Sequence, residues 1–299
     1  MRVVIALGGN ALLLRGEPLT PEAQDRNIRR AAIALAAVMK AGNDLIVTHG
    51  NGPQVGLLAL QSGGDVAFPL DVLGAETEGM IGYLLQRELD NAFDGQATFA
   101  TLLTQIEVDP SDPAFARPTK PIGPGYGKAD AERLRRERGW TLARDGASFR
   151  RVVASPKPLR ILERDVIALL VDHGATIICA GGGGIPVAHR PDGAMVGVEA
   201  VIDKDHASGL LAQSLGADMF VMLTDVDAVC TGWGTDDEAP IGSISAAQIG
   251  AMSFAEGSMG PKVTAACDFV EATGKMAGIG ALEDAIAIME GRSGTCIYR

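Results

Sequence analysis

The amino-acid sequence predicts an α/β fold in which one mainly parallel sheet is covered by helices on both faces. Two observations predict it. First, four apolar runs each lead into a glycine-rich or polar loop. Val3-Val4-Ile5-Ala6-Leu7 runs into Gly8-Gly9-Asn10, and Leu45-Ile46-Val47-Thr48 into His49-Gly50-Asn51-Gly52. Thr176-Ile177-Ile178-Cys179-Ala180 runs into Gly181-Gly182-Gly183-Gly184, and Met219-Phe220-Val221-Met222-Leu223 into Thr224-Asp225-Val226-Asp227. Short apolar runs rich in β-branched residues read as buried strands, and glycines after them let the backbone approach a ligand closely. Second, segments with apolar residues at helical spacing separate these runs. In parallel strands all four loops open on one sheet edge, where such sheets bind ligands, and backbone N–H groups gathered there form an anion site. Glycines that merely turn strands into helices explain one such loop; four at equivalent places favour a phosphate site.

The bulk numbers allow one large or two modest domains: 299 residues, 47% hydrophobic, 21% charged. A formal net charge of −11 excludes a general nucleic-acid or membrane-surface binder. A site for anionic substrates must therefore be locally basic. The cysteines (Cys179, Cys230, Cys267, Cys296) lie far apart, which reads as reduced, packed thiols in a cytoplasmic protein. No apolar run reaches membrane-spanning length. Met1-Arg2 and the apolar run after it faintly resemble a signal peptide, but Gly8-Gly9-Asn10 interrupts the run and no small-residue cleavage site follows.

Taken in order, Thr20-Pro21-Glu22 is an N-cap with proline at the first helical position. Ile28, Ala31, Leu35, Val38 and Met39 continue a helix that stops at Gly42. The loop from His49 to Gly56 resembles the dinucleotide fingerprint G-x-G-x-x-G but is one residue too long. Residues 57–75 carry no clear pattern until Pro69-Leu70-Asp71, a turn into a helix whose stripe is Met80, Ile81, Leu84, Leu85 and Leu89. That stripe is core packing or a dimer face. Residues 97–106 read as one strand. Residues 109–155 then break the rhythm with five prolines from Pro110 to Pro124 and an arginine-rich stretch at 132–138, as in an inserted subdomain. Within it, Lys120 sits between Pro118 and Pro121, on a stiff loop. Val166, Leu169, Leu170 and His173 share a helix face, with His173 at the helix end before Gly174. Residues 198–202 read as a strand leading into Asp203-Lys204-Asp205, with a helix from His206 to Leu215. Residues 231–243 are a polar loop. Gly257-Ser258-Met259-Gly260-Pro261-Lys262 opens a helix ending near Gly274, residues 281–289 form the last helix, and 294–297 a closing strand.

Several chemistries lack their motifs. The Walker A pattern, the protein-kinase H-R-D and D-F-G sets, the G-x-S-x-G elbow and zinc-ligand spacings are all missing. What remains is glycine loops plus Lys120, Lys204 and Lys262, each at an odd place for a generic surface lysine.

Eleven stretches, in order along nearly the whole chain, carry a resemblance. They are ALGGNALL (6–13), THGNGPQVG (48–56), PLDV (69–72), GMIGYLLQ (79–86), PTKPIGPGY (118–126), RRVVASPKP (150–158), AGGGGIPV (180–187), GVEAVIDKDHAS (197–208), LTDVDAV (223–229), GSMGPKV (257–263) and GTCI (294–297). With these stretches the sequence resembles the carbamate kinases of the amino acid kinase family. PTKPIGP and EAVIDKD separate carbamate kinases from other members, which generally carry a lysine just before the first glycine pair; here Ala6 and Leu7 stand there.

The resemblance implies a three-layer αβα sandwich, with a mainly parallel central sheet and a small protruding subdomain. It implies a single domain over 1–299 with a lid-like insert at about 109–155. It implies a homodimer and the reaction ATP + carbamate ⇌ ADP + carbamoyl phosphate, with Mg²⁺ accompanying the nucleotide and no protein-ligated metal. By position, Gly8, Gly9, Asn10, Gly50, Asn51, Gly52, Gly182 and Gly183 surround the phosphoryl group and carbamate. Lys204 and Lys262 flank it, Asp205 orients the lysines, and Lys120 reaches in from the insert. Thr224, Asp225, Asp227, Met259 and Gly260 lie near the nucleotide. Two positions depart from the family pattern: Cys230, where a tyrosine is usual, bears on adenine packing, and Gly125, often bulkier, bears on the carbamate pocket. The rival readings are a same-fold kinase for another small carboxylate or phosphonate, and a catalytically silent regulator. The insert is expected to move as a unit and bring Lys120 to the substrate.

Overall fold

The computed structural model describes residues 1–14, 16–18, 20–61, 68–255 and 257–299. Strand β1 (Arg2–Leu7) is buried from Val3 onward, and a single helical turn, α1 (Gly9–Leu12), starts inside the first glycine loop. Helix α2 (Pro21–Lys40) begins as its sequence dictates, with the Thr20 hydroxyl accepting from the Ala23 N–H and Pro21 in the first turn. Strand β2 (Asp44–His49) follows, then α3 (Gly52–Gln61) and α4 (Leu70–Ala92). Of the unpatterned stretch between them, 62–67 lie outside the described residues.

Residues 97–106 form two strands rather than one. Strand β3 (Phe99–Thr101) lies in the main sheet and β4 (Gln105–Val108) in another. Thr104 causes the break: its hydroxyl donates to Leu102 O and accepts from the Ala180 N–H, both at 2.9 Å, and so turns the chain between sheets. Strands β5 (Lys120–Tyr126), β6 (Leu142–Asp145) and β7 (Ser148–Val153), with helix α5 (Lys128–Arg138), form a separate antiparallel sheet ordered β5-β7-β6. Lys120 thus begins a strand instead of sitting on a loop. Pro121 and Pro124 are tolerated there because β5 is an edge strand.

Strand β8 (Pro158–Ile161) precedes α6 (Arg164–Asp172), which buries Ile167 and Val171. Val166 and Leu169 stand 49% and 57% exposed. Of the apolar face read from the sequence only Leu170 packs against the core, because apolar residues occur around most of this short helix. His173 is its C-cap. After β9 (Thr176–Ile178), β10 (Ile185–His189) and β11 (Met195–Gly197), residues 198–202 form no strand, and the Ala200 N–H turns back to donate to Val198 O. Their N–H groups go to different partners, Val198 to Pro186 O and Val201 to Ala154 O, so no ladder builds. Helix α7 (Lys204–Ser214) starts two residues before His206, because the Asp203 carboxylate caps it by accepting from the Asp205 N–H.

Strand β12 (Met219–Thr224) leads to the two-residue strands β13 (Cys230–Thr231) and β14 (Ala239–Pro240), then β15 (Ser243–Ser245), α8 (Ala246–Gly250) and α9 (Met259–Thr273). Strand β16 (Met276–Ala281) has no counterpart in the sequence reading, which began a helix at Ala281. Its glycines disguise it. Gly278 lies so close to Ile288 that a Cβ there would come within 2.5 Å of the isoleucine side chain, so this strand carries little for a hydrophobic pattern to detect. Helix α10 (Ala285–Met289) and strand β17 (Thr295–Tyr298) close the chain.

The main sheet is ordered β15-β17-β16-β12-β1-β2-β9-β3, and every neighbouring pair is parallel except β16 with β17. Alternate residues feed opposite cores, the period of a strand. Val3, Ile5 and Leu7 pack with Ile28, Leu35, Ile81 and Leu85 of α2 and α4. Val4 and Ala6 pack with Ile167, Leu211, Phe269 and Val270 of α6, α7 and α9. This is the expected αβα sandwich. Leu7 pairs with both Leu223 and His49, and Val47 with Ile178, so the four loops do open on one edge. Strands β11-β10-β4-β8 form a second, mixed sheet.

The β5-β7-β6 sheet has two packing regions. Ile122 and Val153 are rooted among Val55, Ala59, Leu70, Leu73 and Val201. Further out, Ala131, Leu134 and Leu142 make a small core with Tyr126, Trp140 and Phe149. A register shift in β5 between Ile122 and Tyr126 separates the two. The Arg151 guanidinium lies 4.5 Å from the Trp140 ring and 3.4 Å from Glu199 Oε1 of the main body.

Candidate active site

The four loop ends line a cleft of about 1310 Å³. Backbone bonds tie them together: the Gly8 N–H donates to Leu223 O at 2.7 Å, Gly50 N–H to Leu7 O at 3.0 Å and Cys179 N–H to Val47 O at 2.9 Å. Gly50 and Gly182 leave no room for a side chain. A Cβ on Gly50 would meet Gly9 N at 2.9 Å, and one on Gly182, at φ +66°, would meet the Asn51 amide at 2.0 Å. Asn51 donates to the Thr77 hydroxyl at 2.8 Å, and Asn10 donates to Asp225 Oδ2 at 3.0 Å, so both amides are held by neighbours. The Thr224 hydroxyl donates to Asp225 Oδ1 at 3.1 Å.

At the start of α7 one carboxylate is shared by two lysines. Lys204 Nζ donates to Asp205 Oδ1 at 2.5 Å, and Lys262 Nζ, from the first turn of α9, donates to Asp205 Oδ2 at 3.1 Å. Burial pushes the Asp205 carboxyl up, but the two ammonium groups outweigh it and hold it below the usual range. Burial pulls Lys204 below the ordinary lysine value despite Asp205. For Lys262 burial is outweighed by Asp205, and its value rises. The Ser208 hydroxyl donates to Lys204 O at 2.5 Å and meets the Thr48 hydroxyl at 2.6 Å, anchoring this helix start to β2. On the next residue back, Asp203 pairs with Lys120 from β5.

Gly8, Gly9, Asn10, Gly50, Asn51, Gly52, Lys120, Gly182, Lys204, Asp205, Thr224, Asp225, Met259 and Lys262 all line the cleft. Gly183, Asp227 and Gly260 do not. Gly183 is tucked beneath the chain, where a Cβ would lie 2.3 Å from Ile202 O. Gly260 turns inward to donate its N–H to Ala255 O at 2.9 Å. Asp227 follows Val226, the last residue of its loop at the cleft before Cys230. Cys230 and Trp233 stand on the wall, with Trp233 61% exposed.

Two residues of this region escaped the sequence reading. One is Asp203. The other is Glu78 on α4, 1% exposed, whose Oε1 accepts from the Gly181 N–H at 2.7 Å and Oε2 from the Thr104 N–H at 3.1 Å. It clamps the four-glycine loop from behind, and the available signal was a carboxylate one turn before the apolar stripe, on the face of Ile81 and Leu85. Burial raises its pKa to about 8. Next to it His49, whose ring also abuts Gly181, is held neutral, its value pushed down by burial to about 4. A carboxyl raised on folding stabilises fully below its unfolded value, and that contribution is lost as pH rises through the folded value. Between roughly pH 4.5 and 8 the Tm of the native chain should therefore fall relative to that of Glu78→Gln, which carries no ionisation. Paired thermal melts across that range check this; a constant Tm difference contradicts it.

Residues 1–279 match the amino acid kinase family. The chain belongs to that family. Among its relatives is a carbamate kinase of Haemophilus influenzae, 54% identical over 100% of this chain and 97% of the relative. Another, from Rhizobium meliloti, is 53% identical over 99% and 93%. Among solved structures, a carbamate kinase from Giardia lamblia bound to AMP-PNP superposes with a TM-score of 0.90 at 42% identity, covering 99% of this chain and 98% of that one. Amino acid kinase architecture thus runs through the whole chain. Among the described residues no helix is long and apolar enough to cross a membrane.

Proposed function

We propose that the chain is a carbamate kinase, transferring phosphoryl reversibly between ATP and carbamate to give ADP and carbamoyl phosphate. The observation that carries this reading is the Lys204–Asp205–Lys262 bridge, two ammonium groups fixed on one carboxylate beneath the glycine loops. Phosphoryl transfer depends on positioning and on neutralising charge spread over the transferred group. The attacking carbamate oxygen is already anionic, so no general base is needed. Gly8, Gly9, Asn10, Gly50, Asn51, Gly52 and Gly182 bind the transferred group and carbamate, Lys204 and Lys262 stabilise the transition state, and Asp205 orients both. Thr224, Asp225 and Met259 serve the nucleotide, and Lys120 closes the site from the β5-β7-β6 insert.

Magnesium enters on the nucleotide phosphates. Among the described residues no group of three or more His, Cys, Asp or Glu side chains is placed to hold a metal ion. The insert at about 109–155 acts as a lid that excludes water from the phosphoryl group; the register shift at Gly123–Gly125 supports a hinge there, with the outer core moving over a root that keeps Lys120 at the cleft. Homodimer assembly in the cytoplasm completes the reading. For the dimer, the exposed Tyr83 beside β3, the last strand of the described sheet, is the supporting feature.

The test is ATP formation by the purified protein from ADP, Mg²⁺ and carbamoyl phosphate, alongside acyl phosphates of other small carboxylates and the phosphoric anhydrides of small phosphonates. Turnover with carbamoyl phosphate well above the rest is expected. Preference for another acid would assign a sister kinase, and binding without turnover a regulator.

A further inference from the structure

We infer that Asp203 is the positioning residue for Lys120, joining the insert to the reaction centre through one carboxylate with two tasks. Its Oδ1 accepts from the Asp205 N–H at 2.9 Å and caps α7. Its Oδ2 pairs with Lys120 Nζ, which arrives from the first residue of β5 in a different sheet. The cap fixes the carboxylate relative to Lys204 and Asp205. The ion pair therefore fixes the Lys120 ammonium relative to the same helix start. Without this partner Lys120 is a long, freely rotating side chain; with it the ammonium is held at the cleft before substrate arrives. An ammonium has three donors, so pairing with Asp203 leaves others for an incoming phosphoryl oxygen.

The surroundings fit this division of labour. Both residues line the cleft, and the Asp203 side chain is 12% exposed against 31% for Lys120, so the capped carboxylate is the more deeply held member and the lysine the more open one. Burial opposes ionisation of Asp203, but Lys120, then Lys204, and more weakly His206, outweigh it. The carboxylate thus stays charged through the neutral range. Lys204 is already committed to Asp205, which leaves Lys120 as the partner of the second Asp203 oxygen. This inference rests on the reading that Lys120 serves phosphoryl transfer.

The experiment is a double-mutant cycle between Asp203→Asn and Lys120→Met, read as kcat and KM for carbamoyl phosphate. Asparagine caps a helix about as well as aspartate, so α7 stays formed and only the charge is removed. Asp203→Asn should lower kcat by roughly ten- to a hundredfold, the cost of a misplaced catalytic group. In the Lys120→Met background the same substitution should cost nothing further. Equal losses in both backgrounds, or no loss in the native background, would overturn the inference. Full turnover by Lys120→Met alone would instead overturn the role of Lys120, a separate failure. Hydrogen exchange gives a second reading that does not need turnover. In the ligand-free protein, β5 should exchange faster in Asp203→Asn than in the native chain, and unchanged exchange there speaks against the ion pair as the tether.

Discussion

Lys204→Met is expected to lower kcat by at least a hundred- to a thousandfold while leaving nucleotide affinity within a small factor and the fold intact. One preorganised electrostatic donor typically contributes ~3–4 kcal/mol to a transition state, and an interaction made mainly in the transition state appears in rate rather than in binding. The fold survives because Asp205 keeps Lys262 as its partner at 3.1 Å, so no buried carboxylate is left alone. Arginine should not restore the rate. Lys204 is 8% exposed, with its side chain against Gly50, and a planar guanidinium cannot occupy the place of a compact ammonium. Steady-state assays of both variants, with nucleotide binding measured separately, check this. Near-native turnover by Lys204→Met would mean the lysine only neutralises Asp205.

Gly56→Ala is expected to disable the enzyme without touching any group at the cleft. Helix α3 meets β5 backbone to backbone at this point: a Cβ on Gly56 would lie 1.9 Å from the Gly123 Cα and 2.2 Å from its nitrogen. Neither is a flexible side-chain end, so β5 must move away. Overpacking of this kind typically costs ~1–3 kcal/mol of stability. The functional cost should be larger, because Lys120 is in the displaced strand, and a shift of about 1 Å in a catalytic group can cost roughly a hundredfold in rate. Gly74→Ala on α4 is the control, since its added Cβ meets nothing within 4 Å; alanine there should be neutral or stabilising by up to about 1 kcal/mol. Comparable kcat for the two variants would show that β5 position is not critical.

The main sheet was legible because its signals are local. Val3 to Leu7 and Met219 to Leu223 are continuous apolar runs, fully buried as expected of central parallel strands. Lys120, Lys204 and Lys262 stood out for the same reason, each beside proline, aspartate or glycine. What escaped depends on partners far along the chain. Glu78 bonds to Thr104 and Gly181, 26 and 103 residues away, and nothing within α4 announces them. Asp203 caps a helix that the sequence reading began only at His206, and its second partner lies 83 residues upstream. The strand at 276–281 was hidden by glycines that exist for the sake of Ile288. Thr104 split a strand through bonds to its own neighbour and to Ala180, and on α6 an apolar face exposed to solvent outcompeted the buried one. Local pattern locates strands and loops; cross-chain polar contacts decide where they end.

The Arg151 guanidinium, between the Trp140 ring of the insert and Glu199 of the main body, gives the molecule a built-in optical gauge. The chain has only two tryptophans, and the other, Trp233, is on the wall of the cleft. An insert that swings carries Trp140 and Arg151 together while Glu199 stays with the main body, so the charge balance over that indole changes with the angle of the insert. Trp233 is exposed, and its emission responds to whatever fills the cleft beside it. With Trp233→Phe and Trp140→Phe, each indole can be watched alone, and ligand binding and insert movement become two separable fluorescence signals recorded without an attached dye.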